Sequence, residues 1–405
     1  MALSNFQEHF DNSYEEIFQK ALVSKEIMNT RFEAKLKYGE SVERFTYDIS
    51  GVRVRTVTRG SASTVDTVTD GTELLTINLE KETTFHISDG EVTQAGPLNP
   101  GTVIGGQIGL KVAIDLDSRC FAEVRNALHT FDTGDLTTGA STGVPVTLSL
   151  TTVPQMTTRM AAKLKKQNNQ MVTSNMAFVV DSYAAADIEQ YLLGKDIDIA
   201  GSVFKNGYAG AVRNATLYVS ENLTGVATLG LATNPTDGDT ITFAGVTVTF
   251  VATLSGGDSE IHIASTVDIT RANLVEWINA GGASAEAEAT DTGYSAGSTA
   301  DQDALDAASA TNDNTADTAL IVVPGAGRLV VSETLTDGTD TWANSHIAAY
   351  FGKKGAIDLV IQDMKKVDLR PTADRRGTNV FSSYLAGLKT FTDGSKKFLN
   401  VLIAE

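Results

Sequence analysis

Apolar residues near the start of the chain recur every three or four positions: Phe6, Phe10, Tyr14, Ile17, Phe18 and Leu22. That spacing predicts an amphipathic helical arm within residues 1–40. Its aromatic face is too apolar for a free tail, so it docks on a partner surface such as a neighbouring subunit. The period then changes to two. Residues 42–60 (VERFTYDISGVRVRTVTRG) and 71–89 (GTELLTINLEKETTFHISD) alternate apolar and polar positions on either side of a polar linker. The alternation predicts a long, thin two-stranded ribbon within 41–100. Val52, Val54, Leu75, Ile77 and Leu79 are among its apolar positions, and Lys81 lies mid-strand. Such a hairpin is marginal in water alone, so it too needs a partner surface outside its own domain. Phe6, Phe10, Tyr14, Phe18, Val52, Val54, Leu75, Ile77, Leu79 and Lys81 are therefore the candidate assembly contacts.

From Gly106 the period lengthens again. Ile108, Val112, Leu116, Cys120, Val124 and Leu128 repeat every fourth residue, which predicts one helix of about six or seven turns. The preceding Gly105-Gly106-x-x-Gly109 lacks the Lys-Ser/Thr of a phosphate loop and reads as a helix entry. A Thr/Gly-rich loop follows, then a second helix with Pro154 in its first turn and Lys163, Lys165 and Lys166 in its last. Residues 176–193 read as a buried strand running into a helix. Residues 355–371 and 389–405 read as closing strands, joined by a segment predicted to be helical in part.

Composition changes this picture in one place. The chain of 405 residues has a net charge of -18, yet residues 224–340 hold 17 Asp or Glu against only Arg271 and Arg328, with no lysine. The rest is close to neutral. A step of this kind at both edges predicts an inserted acidic module. Within it, Ile241, Phe243, Val246, Val248 and Phe250 alternate about Ala244-Gly245 as a hairpin, and Ile269, Leu274, Trp277 and Ile278 fall at helical spacing. The segment from 281 to 318 is poor in large apolar residues and predicts an acidic loop.

Chemistry-bearing residues are sparse. Cys120 is the only cysteine, which excludes an intrachain disulfide and cysteine-rich zinc sites. The five histidines form no HxH or HExxH pair, so no metal or cofactor is expected. No nucleophile, base and orienting group emerges, and the reading is of a protein that is not an enzyme. The acidic balance argues against a nucleic-acid-binding module, and no apolar run reaches the ~18 residues of a membrane span. The start of the sequence is neither a signal peptide nor a lipidation site.

Taken in order, the pieces resemble the major capsid (coat) protein family of tailed bacteriophages, with its Hong Kong 97-type capsid fold. The most specific stretch is Met176 to Leu223: strand, helix, the pattern Asn206-Gly207-x-x-Gly210, then a strand closing in Tyr218-Val219-Ser220-Glu221-Asn222-Leu223. The hairpin return LLTINLEKETTFHISDGEVTQAG and the C-terminal GKKGAIDLVIQDMKKVDLRP resemble the family as well. Asn214 departs from the family's usual glycine. The resemblance implies an α+β fold: an N-terminal arm (1–40), an E-loop ribbon (41–100), a peripheral domain with a spine helix (101–150 and 371–405) and an axial domain (151–223 and 341–370). The small β-rich insertion (224–340) is compatible with it. It also implies a subunit that self-assembles into hexamers and pentamers of an icosahedral head around double-stranded DNA. Portal and scaffolding or decoration proteins would be its partners, the bacterial host cytoplasm its place of assembly, and the virion its location, with no membrane involved. Some relatives join subunits through a Lys-to-Asn isopeptide bond. Lys81 between Glu80 and Glu82, with Asn379 and Asn400 in the closing segments, supplies the residue types, although Lys81 is far from the ribbon tip. Two alternatives are an encapsulin-like compartment and, from another class, a β-rich cell-surface or adhesion protein.

Overall fold

The computed structural model describes residues 10–18, 22–33, 39–48, 51–56, 59–60, 65–88, 100–168, 175–193, 211–212, 215–283, 293–336, 340–371 and 376–404. A helix at 10–18 (α1) is followed by α2 (Ser24–Ile27), β1 (Ser41–Asp48), β2 (Thr69–Thr76), β3 (Leu79–Ser88) and the long α3 (Pro100–Ala122). Next come β4 (His129–Phe131), α4 (Thr133–Thr137), α5 (Thr152–Asn168), β5 (Met176–Val180), α6 (Ser182–Leu193), β6 (Ala211–Val212) and β7 (Ala215–Val219). The acidic segment contains β8 (Thr224–Gly230), β9 (Thr240–Phe243), β10 (Val246–Val251), β11 (Glu260–His262), α7 (Val267–Asn279), α8 (Thr299–Leu305), β12 (Ser309–Asp313), β13 (Thr318–Val323) and β14 (Val331–Glu333). The chain closes with β15 (Thr341–Lys353), β16 (Asp358–Pro371), β17 (Gly377–Lys389), α9 (Thr392–Ser395) and β18 (Phe398–Ala404). The fold is α+β, as expected.

Contacts divide the chain into two units: residues 1–18, 28–109 and 357–392 in one, and 19–27, 110–356 and 393–405 in the other. The first is built on a three-stranded sheet ordered β16-β17-β3. Two expectations are corrected here. The segment predicted to be partly helical is β17. Val380, Ser382, Tyr384 and Ala386 are buried at every second position, and a strand on each side takes up its backbone hydrogen bonds. The predicted return strand of the ribbon also divides. β2 pairs with β1, from Ser41 opposite Thr76 to Asp48 opposite Thr69, whereas β3 leaves and pairs with β17. Leu79 and Lys81 therefore stand in the sheet, opposite Ala386 and Tyr384, and are not on the ribbon. The break falls where Leu75 and Ile77 turn into a small core with Val360 and Phe391, and Ile77 N–H donates to the Glu40 carbonyl.

The long helix starts earlier than its apolar stripe, at Pro100, where the missing N–H costs nothing because that position has no intrahelical acceptor. Ile108, Val112, Leu116, Cys120 and Val124 are buried as the stripe predicts, the last on a 3-10 turn that ends the helix, and Leu128 beyond it is exposed.

The second unit centres on β15, whose length allows β8, β18 and β5 to pair along it. β5 and β7 run parallel with α6 crossing between them, and β18 is also parallel to β4. The two closing segments take different partners. β16 pairs with its sequence neighbour β17, while β18, whose Phe398 to Leu402 are all buried, takes the two-sided cover beside β15.

The acidic segment has its own core around Phe243, Phe250, Leu274, Trp277 and Ile278. β9 and β10 form the predicted hairpin, with both turn residues at positive φ (Ala244 52°, Gly245 81°), as a two-residue turn matching strand twist requires. β8, β13 and β12 nevertheless continue the β15 sheet, so the segment shares backbone hydrogen bonds with its surroundings. One of its two arginines is spent inside. Arg271 is fully buried, donating to the Leu231 carbonyl at 2.5 Å, to Asn312 Oδ1 at 2.6 Å and to Asp268 at 2.5 Å.

Candidate assembly surface

The arm comes first. Phe10 and Tyr14 stack at 6.2 Å between ring centroids and Tyr14 and Phe18 at 5.9 Å, while Phe10 also stacks on Phe85 of β3 at 6.4 Å. All three arm aromatics are buried. Their seat is the glycine cluster of α3. A Cβ on Gly105 would lie 2.7 Å from the Phe10 carbonyl oxygen, and one on Gly109 the same distance from that of Tyr14. A Cβ on Gly106 would lie 2.6 Å from Ile17 Cδ1 and 3.1 Å from Ser13 Oγ. These glycines, read from sequence as a helix entry, lie inside the helix and let α1 approach its backbone. The partner of the described arm is thus its own chain. Phe6 lies outside the described residues.

The ribbon divides into an anchored base and an open outer part. At the base, Leu75 and Val42 pack with Ile77, Phe32 and Leu385, and the Arg44 guanidinium sits 5.1 Å from the Phe391 ring centroid. The Glu73 carboxylate accepts from the Thr392 N–H at 3.1 Å and from its hydroxyl. Farther out, the opposite face carries Phe45 (67% exposed), Tyr47 (70%) and Leu74 (50%). Beyond β1, Val52, Val54, Val65 and Val68 are exposed as well. Asp66 holds that outer part together, accepting from Arg53 N–H at 2.8 Å and from the Arg55 guanidinium at 2.5 Å. Seven of the sixteen exposed large hydrophobic side chains among the described residues fall on this one ribbon. Apolar side chains at that density are unusual on an exposed surface. On α3, Val103, Leu110 and Ile114 form a shorter exposed strip.

Of the sequence candidates, Phe10, Tyr14, Phe18, Leu75 and Ile77 are internal, and Val52 and Val54 are exposed on the ribbon. Phe45, Tyr47 and Leu74, exposed on the same ribbon, were not among the sequence candidates, although VERFTYD displays the first two at strand spacing. Lys81, Glu80 and Glu82 line a surface cavity of about 390 Å³ with Asp368, Arg370, Phe381 and Ser383. Asn379 is not beside Lys81. It stands opposite His86, whose Nδ1 is 2.8 Å from its Oδ1, while Asn400 is buried in β18.

Buried titratable groups have structural employment. Asp117 on α3 accepts from Val23 N–H and Ser24 N–H, each at 3.0 Å; burial raises its pKa and those bonds work against the rise. Burial pushes the Cys120 thiol far up, which makes it unreactive. Among the described residues no three His, Cys, Asp or Glu side chains converge as a metal site, and no helix is long and apolar enough to cross a membrane.

No protein-family model and no curated protein matches the sequence. Solved structures similar to the chain include one from Mycobacterium phage Che8, at 14% identity over 93% of this chain and 90% of that one, with a TM-score of 0.48. Another is the capsid of the cyanophage P-SCSP1u, at 11% identity over 91% and 84% with a TM-score of 0.42. The mature capsid of bacteriophage PhiM1 is similar at 10% identity over 90% and 82%, also with a TM-score of 0.42.

Proposed function

We propose that this chain is the major capsid protein of a tailed bacteriophage, a non-enzymatic subunit that builds hexamers and pentamers of an icosahedral head around double-stranded DNA. The observation that carries the reading is the ribbon: an element anchored at its base, with Phe45, Tyr47, Val54 and Val65 left in water. A two-stranded hairpin gains little from its own chain, so its natural cover is a second copy. Contact between a projecting ribbon and a different patch on the next copy is head-to-tail, and such contacts close into rings when the rotation permits. The order of arm, hairpin, long helix and closing strands supports the same reading.

In this account the near-neutral body faces the packaged DNA without gripping it, and the acidic segment faces outward. The protein resides in the virion, with portal and scaffolding or decoration proteins as its other partners. The test is Phe45→Glu with Tyr47→Glu. Both side chains are exposed, so the variant keeps the wild-type circular dichroism spectrum and melting curve. Sedimentation then reports loss of large assemblies and accumulation of free subunits. Assemblies formed as readily as by the wild type would remove the ribbon from the mechanism.

A further inference from the structure

In the second unit, a lysine and a carboxylate meet out of water. Lys163 Nζ on α5 lies 2.5 Å from Asp135 Oδ2 on α4, and the two side chains are only 13% and 3% exposed. The Thr130 carbonyl, also at 2.5 Å, is the other acceptor of the ammonium, and the centre of the Phe131 ring is 5.9 Å away. Neither partner is free to swing aside. Asp135 Oδ2 accepts the Asp132 N–H at 3.2 Å in a capping box, and Asp132 is itself tied to Gly134 N, Ser141 Oγ, Thr142 N and Gly143 N. Lys163 projects from a helix whose Val153, Met156, Met160 and Leu164 are buried.

A buried ion pair is costly because both charges lose their hydration. Passing one proton from the ammonium to the carboxylate removes both charges. What remains is an amine hydrogen-bonded to a carboxylic acid, the reactant pair of amide formation, kept in contact by the two elements that carry them. We propose that Lys163 and Asp135 condense to an intrachain isopeptide bond. The Nζ lone pair attacks Asp135 Cγ, forming the C–N bond. The Cγ–OH bond then breaks, and the hydroxyl leaves with a second amine proton as water. The balance is one ammonium and one carboxylate to one amide and one water, with no oxidant or co-reactant. The bond would join residues 28 apart in a chain whose single buried cysteine permits no intrachain disulfide, and it would restrict the unfolded chain as a disulfide does.

The test is mass spectrometry of the denatured full-length chain, followed by peptide mapping. The expected wild-type mass is that of the sequence less one water, and digestion gives a branched peptide joining the segments around Asp135 and Lys163. Lys163→Arg, which keeps the ion pair but presents no amine, restores the full mass, as does Asp135→Ala. A wild-type chain at its full sequence mass, with both segments recovered as linear peptides, overturns the proposal. So does loss of water without a branch, the signature of a succinimide at one of the five Asp-Gly pairs of the sequence. Because the wild-type protein decides the outcome, a variant that fails to fold leaves the test intact.

Discussion

Replacing Gly105 and Gly109 together by alanine probes whether α3 is a seat for the arm. In an ordinary exposed helix each Gly→Ala change stabilises by about 1 kcal/mol, because glycine loses more backbone freedom on folding. Here the new methyl groups would sit 2.7 Å from the carbonyl oxygens of Phe10 and Tyr14, which are backbone atoms and cannot rotate away. Overpacking of this kind costs about 1–3 kcal/mol per site. The protein accepts that strain rather than expel the arm, since exposing even one of the three aromatics forfeits roughly 4 kcal/mol at about 25 cal/mol per Å². The double variant is therefore expected to lose about 2 kcal/mol, where an unoccupied helix would gain about 2 kcal/mol. Urea unfolding gives the sign, and limited proteolysis reports faster cleavage within the first eighteen residues. Gln107→Ala, on the exposed side of the same helix, is the control and leaves both unchanged. Stabilisation with an arm as resistant as in the wild type would refute the reasoning.

Two further outcomes follow from the buried charges. Arg271→Ala leaves the Leu231 carbonyl and Asn312 without their donor in a dry site, and should destabilise the acidic segment by about 3–5 kcal/mol in calorimetry. For Asp132, burial raises the carboxyl pKa, but donors from Ser141, Gly143, Thr142 and Gly134 outweigh it and hold the group below its usual range. A depressed folded pKa contributes stability above the unfolded value of about 4 and loses it as pH falls through the folded one. The stability gap between wild type and Asp132→Asn should accordingly be full at neutral pH and shrink progressively below about pH 4.

Much of this fold is legible in the sequence wherever one periodicity is uninterrupted. The arm, the long helix, the 244–245 hairpin and the acidic segment's helix all carry their core positions at regular spacing. What escaped depends on partners distant in the chain. β17 has apolar residues compatible with either period, and only β3, almost 300 positions earlier, and β16 on the other side make it a strand. The apparent continuity of 71–89 hid the exchange of partners between β2 and β3, because both halves alternate and a pattern does not name the strand it pairs with. The role of Gly105 and Gly109 was hidden for the same reason, since the residues they accommodate are those of the arm. The ribbon's open face was half-legible: its alternation was plain, but which face the base would bury depended on Phe391 and Val360.

The account rests on self-assembly, and electron microscopy of the intact chain expressed by itself tests that most directly. Negative-stained fields should show closed shells or tubular polyheads of a repeating capsomer. Uniform soluble monomers, folded and with the ribbon intact, would contradict it.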